Sequence, residues 1–506
     1  LFNDRIAWWA AIVLMTTSRF WWQARTAQID MVLTALLAVT LYAFWRQHES
    51  PSRTWRTLFF AAIAAALLTK GPVGILFPLV LWLTFYWRRR GQRNQFPIAV
   101  GAAMSIAFAL AWLIPARMAA STGGAGGAIG QDFYRQVIGR VFLGVSKAQP
   151  PWYYLIELPV DLMPWTLILP WTIVWAWRQR RTDTVRLLLA WTVPALILFS
   201  AFAGKRQIYI LPLYPAFAIM IAASLIPLLD DARTRYRTVA TAGWAVALLA
   251  IASLPFVIES RYPEFATPGL YWFPAIGLIA VAVLCVEWWR NSARRLPALL
   301  AIPVAACMIA AAHAALPKLN DAKSARAFCA PLQSLVKNDV DYRLYSFMFS
   351  REEYIFYAHH FHETVFVDTL PGHDERNLEH VEALLLAVGE GFLQAAGSVT
   401  IQSAASLTGA EIEALRDALN AFHQSLIETK PKSADAYTAI ESGAHVFAAE
   451  FLEPTPAYMF IQTRDWPWLR ALIPEFERTS VVAEENIGSR HVLLIANEAG
   501  AARWPD

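Results

Sequence analysis

The chain has 506 residues, of which 57% are hydrophobic and only 16% are charged, and 22 of them are tryptophan. This composition excludes an ordinary soluble domain and is typical of a polytopic membrane protein. The formal net charge of +4 is modest, so no nucleic-acid partner is expected. Of the three cysteines, only Cys329 lies outside the apolar runs, so no disulfide is expected within the polar part of the chain.

Apolar runs occupy most of the first 316 residues and predict about eleven membrane-spanning helices. Each run reaches about 20 residues once the flanking Trp, Tyr and Arg side chains extend to the interface. The runs 58–69 and 73–87 are separated by Lys70-Gly71-Pro72, which we interpret as the turn of a helical hairpin. The runs are 6–18, 31–45, 58–69, 73–87, 98–115, 158–177, 187–203, 208–229, 239–258, 270–288 and 296–316.

The arginines between the runs predict the orientation of the chain in the membrane. If every run spans once, the arginine-rich loops all fall on one side, and short loops rich in Arg mark the cytoplasmic side. The opposite, periplasmic side then receives 19–29, 70–71, 116–157, 204–207, 259–268 and everything after 317, in a bacterial inner membrane. The cytoplasmic arginines are Arg53, Arg56, Arg88, Arg89, Arg90, Arg93, Arg178, Arg180, Arg181, Arg186, Arg233, Arg235, Arg237, Arg290, Arg294 and Arg295.

Residues 317–506 differ from the rest because they mix charged and apolar residues and contain no spanning run. Candidate strands are 342–347, 364–368, 457–462 and 491–496. About 190 residues suffice for an independent core. The sequence therefore predicts two domains: a transmembrane domain over 1–316 and a periplasmic α/β domain over 317–506.

Asp30 lies at the start of the apolar run 31–45, five residues after Arg25. A carboxylate costs about 2.5–3.5 kcal/mol at the centre of a membrane helix and less at its end, so such residues are rare and usually functional. Asp30 is therefore a candidate functional residue. The alternative is that it only caps the N-terminus of the helix.

Positive side chains collect on the face that the charge rule should leave depleted of them. A ring of fixed cations at the bilayer surface is suited to an anionic headgroup such as a phosphate. Tyr209 can add a hydrogen bond to such a group, or it is one of many interfacial aromatic residues. Extension of single side chains to the interface is the alternative for the cations, but it does not account for their excess. The candidate binding cations are Arg25, Lys70, Arg140, Lys205 and Arg206.

Two further segments have weaker patterns. His359, His360 and His362 precede Glu363, but they lack the spacing of a common metal site and favour a solvated loop. The glycine-rich segment 121–130 has no Walker spacing and follows no predicted strand, so it is interpreted as a loop.

Several short motifs over residues 1–316 resemble, in the same order, those of the bacterial aminoarabinose lipid A transferases. These enzymes belong to the GT-C, protein mannosyltransferase-like glycosyltransferases. Each motif alone is weak, but five in order at fitting membrane depths are specific to the superfamily. The motifs are Arg25…Ile29-Asp30-Met31, Leu68-Thr69-Lys70-Gly71-Pro72, Gln149-Pro150…Trp152-Tyr153-Tyr154-Leu155, Pro164-Trp165 and Tyr209-Ile210-Leu211-Pro212…Pro215.

The resemblance implies that a sugar is transferred from an undecaprenyl-phosphate carrier to an acceptor at the periplasmic face, such as lipid A or another envelope glycan. Asp30 matches the family's second acidic position, which makes it the candidate catalytic residue, because a carboxylate can take or orient the proton of the acceptor hydroxyl. Lys70, Lys205 and Tyr209 match positions that bind the carrier phosphate, and Arg140 matches less securely. A divalent metal is compatible with such a site, but nothing in the sequence fixes its ligands and no other cofactor is expected.

The chain departs from the family at its beginning, because it starts at what resembles the third span. The first two spans and the loop with the family's principal catalytic carboxylate are therefore expected to be absent. Two other classes of function stay open. A polyprenyl-linked glycan ligase or a transporter is one, although a transporter should show internal repeats, and none is found. A non-catalytic membrane protein is the other, and it leaves the one-sided cations unexplained.

Overall fold

The structure is a computed structural model. It describes residues 2–26, 28–87, 149–230, 235–263, 266–290, 296–338, 341–347, 352–358, 363–365, 431–487 and 490–505, with scattered positions in 101–115 and 412–424. The chain divides into two compact units, Leu1–Ala315 and Leu316–Asp506. Arg140, the glycine-rich segment 121–130 and the histidines at 359, 360 and 362 lie outside the described residues.

The first unit is helical throughout its described part. Among the described residues, six helices are long and apolar enough to cross a membrane, or seven segments if one bent pair counts as a span. The predicted count of eleven is not confirmed: the helices α1 and α5 have 12 and 13 residues, and most of the run 98–115 lies outside the described residues. The helices are α1 (Asp4–Met15), α2 (Ser18–Arg25), α3 (Ile29–Glu49), α4 (Arg53–Lys70), α5 (Val73–Phe85), α6 (Tyr153–Asp161), α7 (Leu169–Gln179), α8 (Asp183–Ala201), α9 (Tyr214–Asp230), α10 (Arg235–Arg261), α11 (Trp272–Trp289) and α12 (Leu296–Ala314).

The helices α3 and α4 form an antiparallel hairpin that defines the two ends of this unit. At one end the Ser52 side chain accepts a hydrogen bond from Trp55 N, which caps α4, and Gln47 Oε1 accepts one from Ser52 N at 3.0 Å. Phe44 and Phe59 pack inside the hairpin. The hairpin brings the first turn of α3 and the last turn of α4 together at its other end.

The predicted single span over 158–177 is wrong as one continuous helix. Helix α6 and the segment Trp165–Gln179 meet at an angle of 113°. Pro164 explains the break, because proline lacks an N–H donor and disfavours helical backbone in the residue before it. The last residue of α6, Asp161, lies directly at this bend.

A short 3-10 segment, Gln207–Leu213, leads directly into α9. Helix α9 packs against α1, α7 and α8, while α10, α11 and α12 pack together. Gly277 of α11 permits a close approach to α10, since a Cβ there would lie 2.6 Å from Ala252 Cβ. Small residues at such crossings are common where membrane helices pack closely.

The second unit contains a five-stranded sheet of order β2-β1-β3-β5-β4. The strands β2, β1 and β3 are parallel, and β5 and β4 continue the sheet antiparallel. Burial of Tyr458, Phe460 and Leu494 places its core on the central strands. The strands are β1 (Arg343–Phe347), β2 (Glu363–Val365), β3 (Ala457–Gln462), β4 (Ser480–Ile487) and β5 (Arg490–Ala496), and the helices are α13 (Leu316–Lys323), α14 (Arg326–Lys337), α15 (Glu352–Ala358), α16 (Pro431–Phe451), α17 (Trp466–Leu472) and α18 (Glu498–Ala501).

Candidate functional site

Asp30 and Lys70 form an ion pair at the end of the α3–α4 hairpin. Lys70 Nζ donates to Asp30 Oδ1, and the two side chains are 21% and 7% exposed. The residue that caps α3 is Gln28, and Asp30 lies in the first turn of the helix. The alternative that Asp30 is the N-cap is therefore wrong, because Gln28 occupies that position, and the Asp30 carboxylate instead contacts a lysine 40 positions away.

Tyr209 completes this group from a third segment. The Lys70 ammonium lies over the Tyr209 ring at 5.1 Å from its centroid, a separation at which the ring face attracts a cation. An ammonium has three N–H donors. One is directed at Asp30, and the Lys70 side chain is partly exposed, so a ligand can reach it. We call these three residues the Asp30–Lys70–Tyr209 cluster.

Lys205 is buried and holds the backbone beside this cluster. Its ammonium donates to the carbonyl oxygens of Gln149, at 2.7 Å, and Phe202. Gln149 N in turn donates to Ala203 O at 3.1 Å, so the segments 149–150 and 202–205 are tied in both directions. Burial lowers the pKa of Lys205 below the ordinary lysine value, because desolvation disfavours the charged form.

The remaining predicted cations have different environments. Arg206 follows Lys205 and is exposed, and its carbonyl oxygen accepts a hydrogen bond from Tyr154 Oη at 3.1 Å. Arg25 is also exposed at the end of α2, with its guanidinium 5.5 Å from the centroid of the Trp21 ring. The structure thus brings Asp30, Lys70 and Tyr209 together, with Lys205 and Arg206 on the segment that leads to Tyr209.

A second polar group, which none of the sequence patterns predicted, lies at the bend after α6. The buried Asp161 carboxylate accepts from Arg19 Nε at 2.8 Å and from Tyr214 Oη at 2.9 Å. One turn earlier, Glu157 accepts from Gln207 Nε2. Two carboxylates four residues apart beside an apolar run are a signal that could have found this group, because buried charges in membrane segments are costly.

Metal binding finds no support in the described part of the chain. No group of three or more His, Cys, Asp or Glu side chains there is arranged to hold an ion. The histidine-rich segment lies outside that part, so the sequence-based interpretation of it stays a prediction.

The cluster combines a positive group, a carboxylate and an aromatic face at one end of a helical hairpin. An ammonium with exposed donors can bind a phosphate oxygen and stabilise negative charge that develops on it. A carboxylate in contact with that ammonium can orient or accept the proton of a hydroxyl group. These are the groups that displacement of a phosphate by an alcohol requires.

The comparisons with known proteins first define a class. Residues 1–114 match the family model described as dolichyl-phosphate-mannose-protein mannosyltransferase. The chain has the fold of ArnT from Cupriavidus metallidurans, solved bound to undecaprenyl phosphate, with a TM-score of 0.64 and 16% sequence identity over 98% of this chain and 80% of that one. The same enzyme in its apo state gives a TM-score of 0.63.

Curated relatives then narrow the class. The chain is 28% identical over 247 residues to undecaprenyl phosphate-alpha-4-amino-4-deoxy-L-arabinose arabinosyl transferase 1 of Pseudomonas fluorescens. It is 29% identical over 289 residues to the corresponding transferase of Pseudomonas aeruginosa. These alignments cover 46% and 54% of this chain and 43% and 50% of the relatives, so the chain spans about half the length of the curated relatives it matches. The predicted resemblance to GT-C glycosyltransferases of the aminoarabinose lipid A transferase family is confirmed.

Proposed function

We propose that this chain is an integral membrane glycosyltransferase that takes a sugar from an undecaprenyl-phosphate carrier and transfers it to a lipid or glycan acceptor, such as lipid A, at the periplasmic face. The observation that carries the proposal is the Asp30–Lys70–Tyr209 cluster, in which a partly exposed ammonium and a buried carboxylate meet at one end of the α3–α4 hairpin. The names of the relatives support the same class of donor.

In this proposal Lys70 binds the carrier phosphate and Asp30 acts on the acceptor. The acceptor hydroxyl attacks the anomeric carbon of the sugar, and the bond from that carbon to the phosphate oxygen breaks. Undecaprenyl phosphate leaves with the electron pair, and Lys70 stabilises its additional negative charge. The hydroxyl proton passes to the Asp30 carboxylate. Tyr209 orients Lys70, and Lys205, Arg206, Arg25 and Arg140 supply further positive charge for the headgroup.

The proposal extends to the organisation of the chain. We assign residues 1–316 to the transmembrane glycosyltransferase domain with eleven spans, and residues 317–506 to a soluble α/β domain in the periplasm. The arginine-rich ends of the helices are assigned to the cytoplasm, which places the Asp30–Lys70–Tyr209 cluster at the periplasmic end. This is the face at which a lipid-linked sugar would meet an envelope acceptor.

Binding of undecaprenyl phosphate to the purified full chain tests the proposal. Lys70→Ala removes a charge-assisted contact worth roughly 1.5–3 kcal/mol, so we expect the affinity to fall about tenfold to over a hundredfold. Arg178→Ala is the control, because Arg178 is an exposed cation in the last turn of α7 and belongs to none of the polar groups described above. The control should bind as the wild type does. Equal affinity of Lys70→Ala and wild type would remove Lys70 from the phosphate site.

A further inference from the structure

Helix α6 is tied along its length to the segment that carries the proposed phosphate-binding residues. Near its start, Tyr154 Oη donates to Arg206 O at 3.1 Å. In its middle, Glu157 accepts from Gln207 Nε2. At its end, Asp161 accepts from Tyr214 Oη at 2.9 Å. These three contacts are spaced along both segments in the same order, so α6 supports residues 206–214 as a unit.

Asp161 differs from Tyr154 and Glu157, the other two contact residues of α6, because its buried carboxylate also pairs with a cation. Its side chain is 2% exposed and pairs with Arg19 Nε of helix α2 at 2.8 Å. Ser18 Oγ of the same helix donates to the backbone oxygen of Asp161 at 3.0 Å. The bend after α6 is therefore held by α2 on one side and by the first residue of α9 on the other.

The geometry points to Asp161 as a positioning residue for the phosphate site, and this inference rests on the proposed function. Tyr209 lies five residues before Tyr214, within the 3-10 segment Gln207–Leu213 that leads into α9. The Asp161–Tyr214 hydrogen bond fixes the end of that segment, and the ion pair with Arg19 holds the Asp161 carboxylate in place. Through these contacts Asp161 sets the place of the Tyr209 ring under Lys70 without touching the carrier lipid.

The ion pair between Asp161 and Arg19 is part of this role. A buried carboxylate is stabilised by the cation and the hydroxyl donor that contact it. Removal of the carboxylate charge would leave the partly buried guanidinium of Arg19 without its ionic partner. Asp161→Asn keeps the shape of the side chain but removes the attraction for Arg19. We expect the segment 206–214 to loosen at its junction with α9, and Tyr209 with it.

The experiment measures undecaprenyl phosphate affinity of the purified full chain together with hydrogen exchange of peptides covering residues 203–214. Residues that act through others typically change coupling by 0.5–2 kcal/mol, so Asp161→Asn should weaken binding about 2- to 30-fold and speed exchange in that segment. Tyr214→Phe removes only the hydroxyl donor and should act in the same direction. Arg19→Gln should resemble Asp161→Asn, whereas Arg19→Lys keeps the charge and should restore most of the affinity.

Thr172→Val is the matched control for mere loss of stability. Thr172 is buried in α7 and shares a hydrogen bond with Ser224 at 2.9 Å, away from residues 203–214 in the sequence. Thr172→Val should lower the melting temperature without changing the affinity of the folded protein. If Asp161→Asn and Tyr214→Phe both bind as the wild type does while Lys70→Ala does not, the positioning role is wrong. Unchanged binding in Lys70→Ala would instead contradict the proposed function itself.

Discussion

The Asp30–Lys70 pair is neutral as a whole, which affects how a phosphate can bind to it. A phosphate that approaches Lys70 competes with the Asp30 carboxylate for the same ammonium. Since Lys70 is 21% exposed and Asp30 only 7%, the ammonium is the member of the pair that a ligand can reach.

Asp30→Asn separates the two roles within the pair. The amide keeps the size of the side chain but loses the negative charge, so Lys70 is released from its competitor. We expect undecaprenyl phosphate to bind at least as tightly as to the wild type. Sugar transfer should fall by roughly 10²–10⁴, the range of acid–base groups. Both quantities are measured on the purified protein, wild type beside variant.

The effect on undecaprenyl phosphate affinity distinguishes this variant from Lys70→Ala, which should bind more weakly than the wild type. If Asp30→Asn weakens phosphate binding as strongly as Lys70→Ala does, Asp30 serves only to hold the lysine in place. Full turnover in the Asn variant would mean that the carboxylate takes no part in the transfer step. Thermal stability in detergent serves as the control for folding.

At the residue scale, charge patterning predicted some groups and missed others for a physical reason. Asp30 and Lys70 were predicted on the same face because both lie at the boundaries of consecutive apolar runs. The contact of Arg19 with Asp161 joins residues 142 positions apart. It lies at the bend before Pro164, and the lengths of the apolar runs do not predict such a bend. Likewise, no pattern in the sequence indicates that Lys205 Nζ is directed at two carbonyl oxygens.

At the scale of elements, the turn between α4 and α5 determines where Lys70 lies. Gly71 ends α4 with φ of +62°, a conformation that side-chain-bearing residues rarely adopt. Gly74 then lets α5 pass close to the last turns of α4. A Cβ at Gly74 would lie 2.5 Å from Ala66 C and 2.6 Å from Leu67 N. Both neighbours are backbone atoms and cannot rotate away.

Gly74→Ala should therefore force α4 and α5 apart directly beside Lys70. Overpacking of this kind typically costs about 1–3 kcal/mol, so we expect a lower melting temperature and weaker phosphate binding together. Gly243→Ala is the control, because the three atoms nearest to its Cβ would all belong to the flexible side chain of Leu167, the first at 2.7 Å. That variant should retain both properties. A Gly74→Ala protein as stable as the wild type would show that α4 and α5 can move apart without loss of stability.

The strands of the second unit show which elements the local sequence pattern can predict. The apolar strand 457–462 was predicted with the bounds of β3, and 342–347 and 491–496 differ from β1 and β5 by one residue. Strand β4 was missed because Ser480–Ile487 carries two consecutive glutamates and is only partly buried. It lies at the edge of the sheet, where one-sided pairing removes the need for a continuous apolar run.

At the scale of the whole molecule, the first unit has two chemically different ends. At one end, His48 of α3 lies 3.7 Å from Asp183 of α8 and its Nδ1 lies 3.4 Å from Tyr86 Oη, just after α5. The ends of these three helices therefore meet where Arg53 begins α4. The other end of the hairpin carries Asp30 and Lys70. An arginine-rich end opposite the site end is the arrangement that the charge rule associates with the cytoplasm.

This distribution predicts that Gln179 faces the cytoplasm and that Ala502, in the second unit, faces the periplasm. Both positions are exposed, so a single cysteine at either can react with a membrane-impermeant maleimide. The native Cys285, Cys307 and Cys329 are free thiols and are first replaced by alanine.

In intact bacterial cells whose outer membrane admits the reagent, Ala502→Cys should be labelled and Gln179→Cys should not. Both should react after the inner membrane is permeabilised, which controls for accessibility. Labelling of Gln179→Cys alone in intact cells would contradict the predicted orientation. It would mean that the Asp30–Lys70–Tyr209 cluster lies on the cytoplasmic side, away from any envelope acceptor.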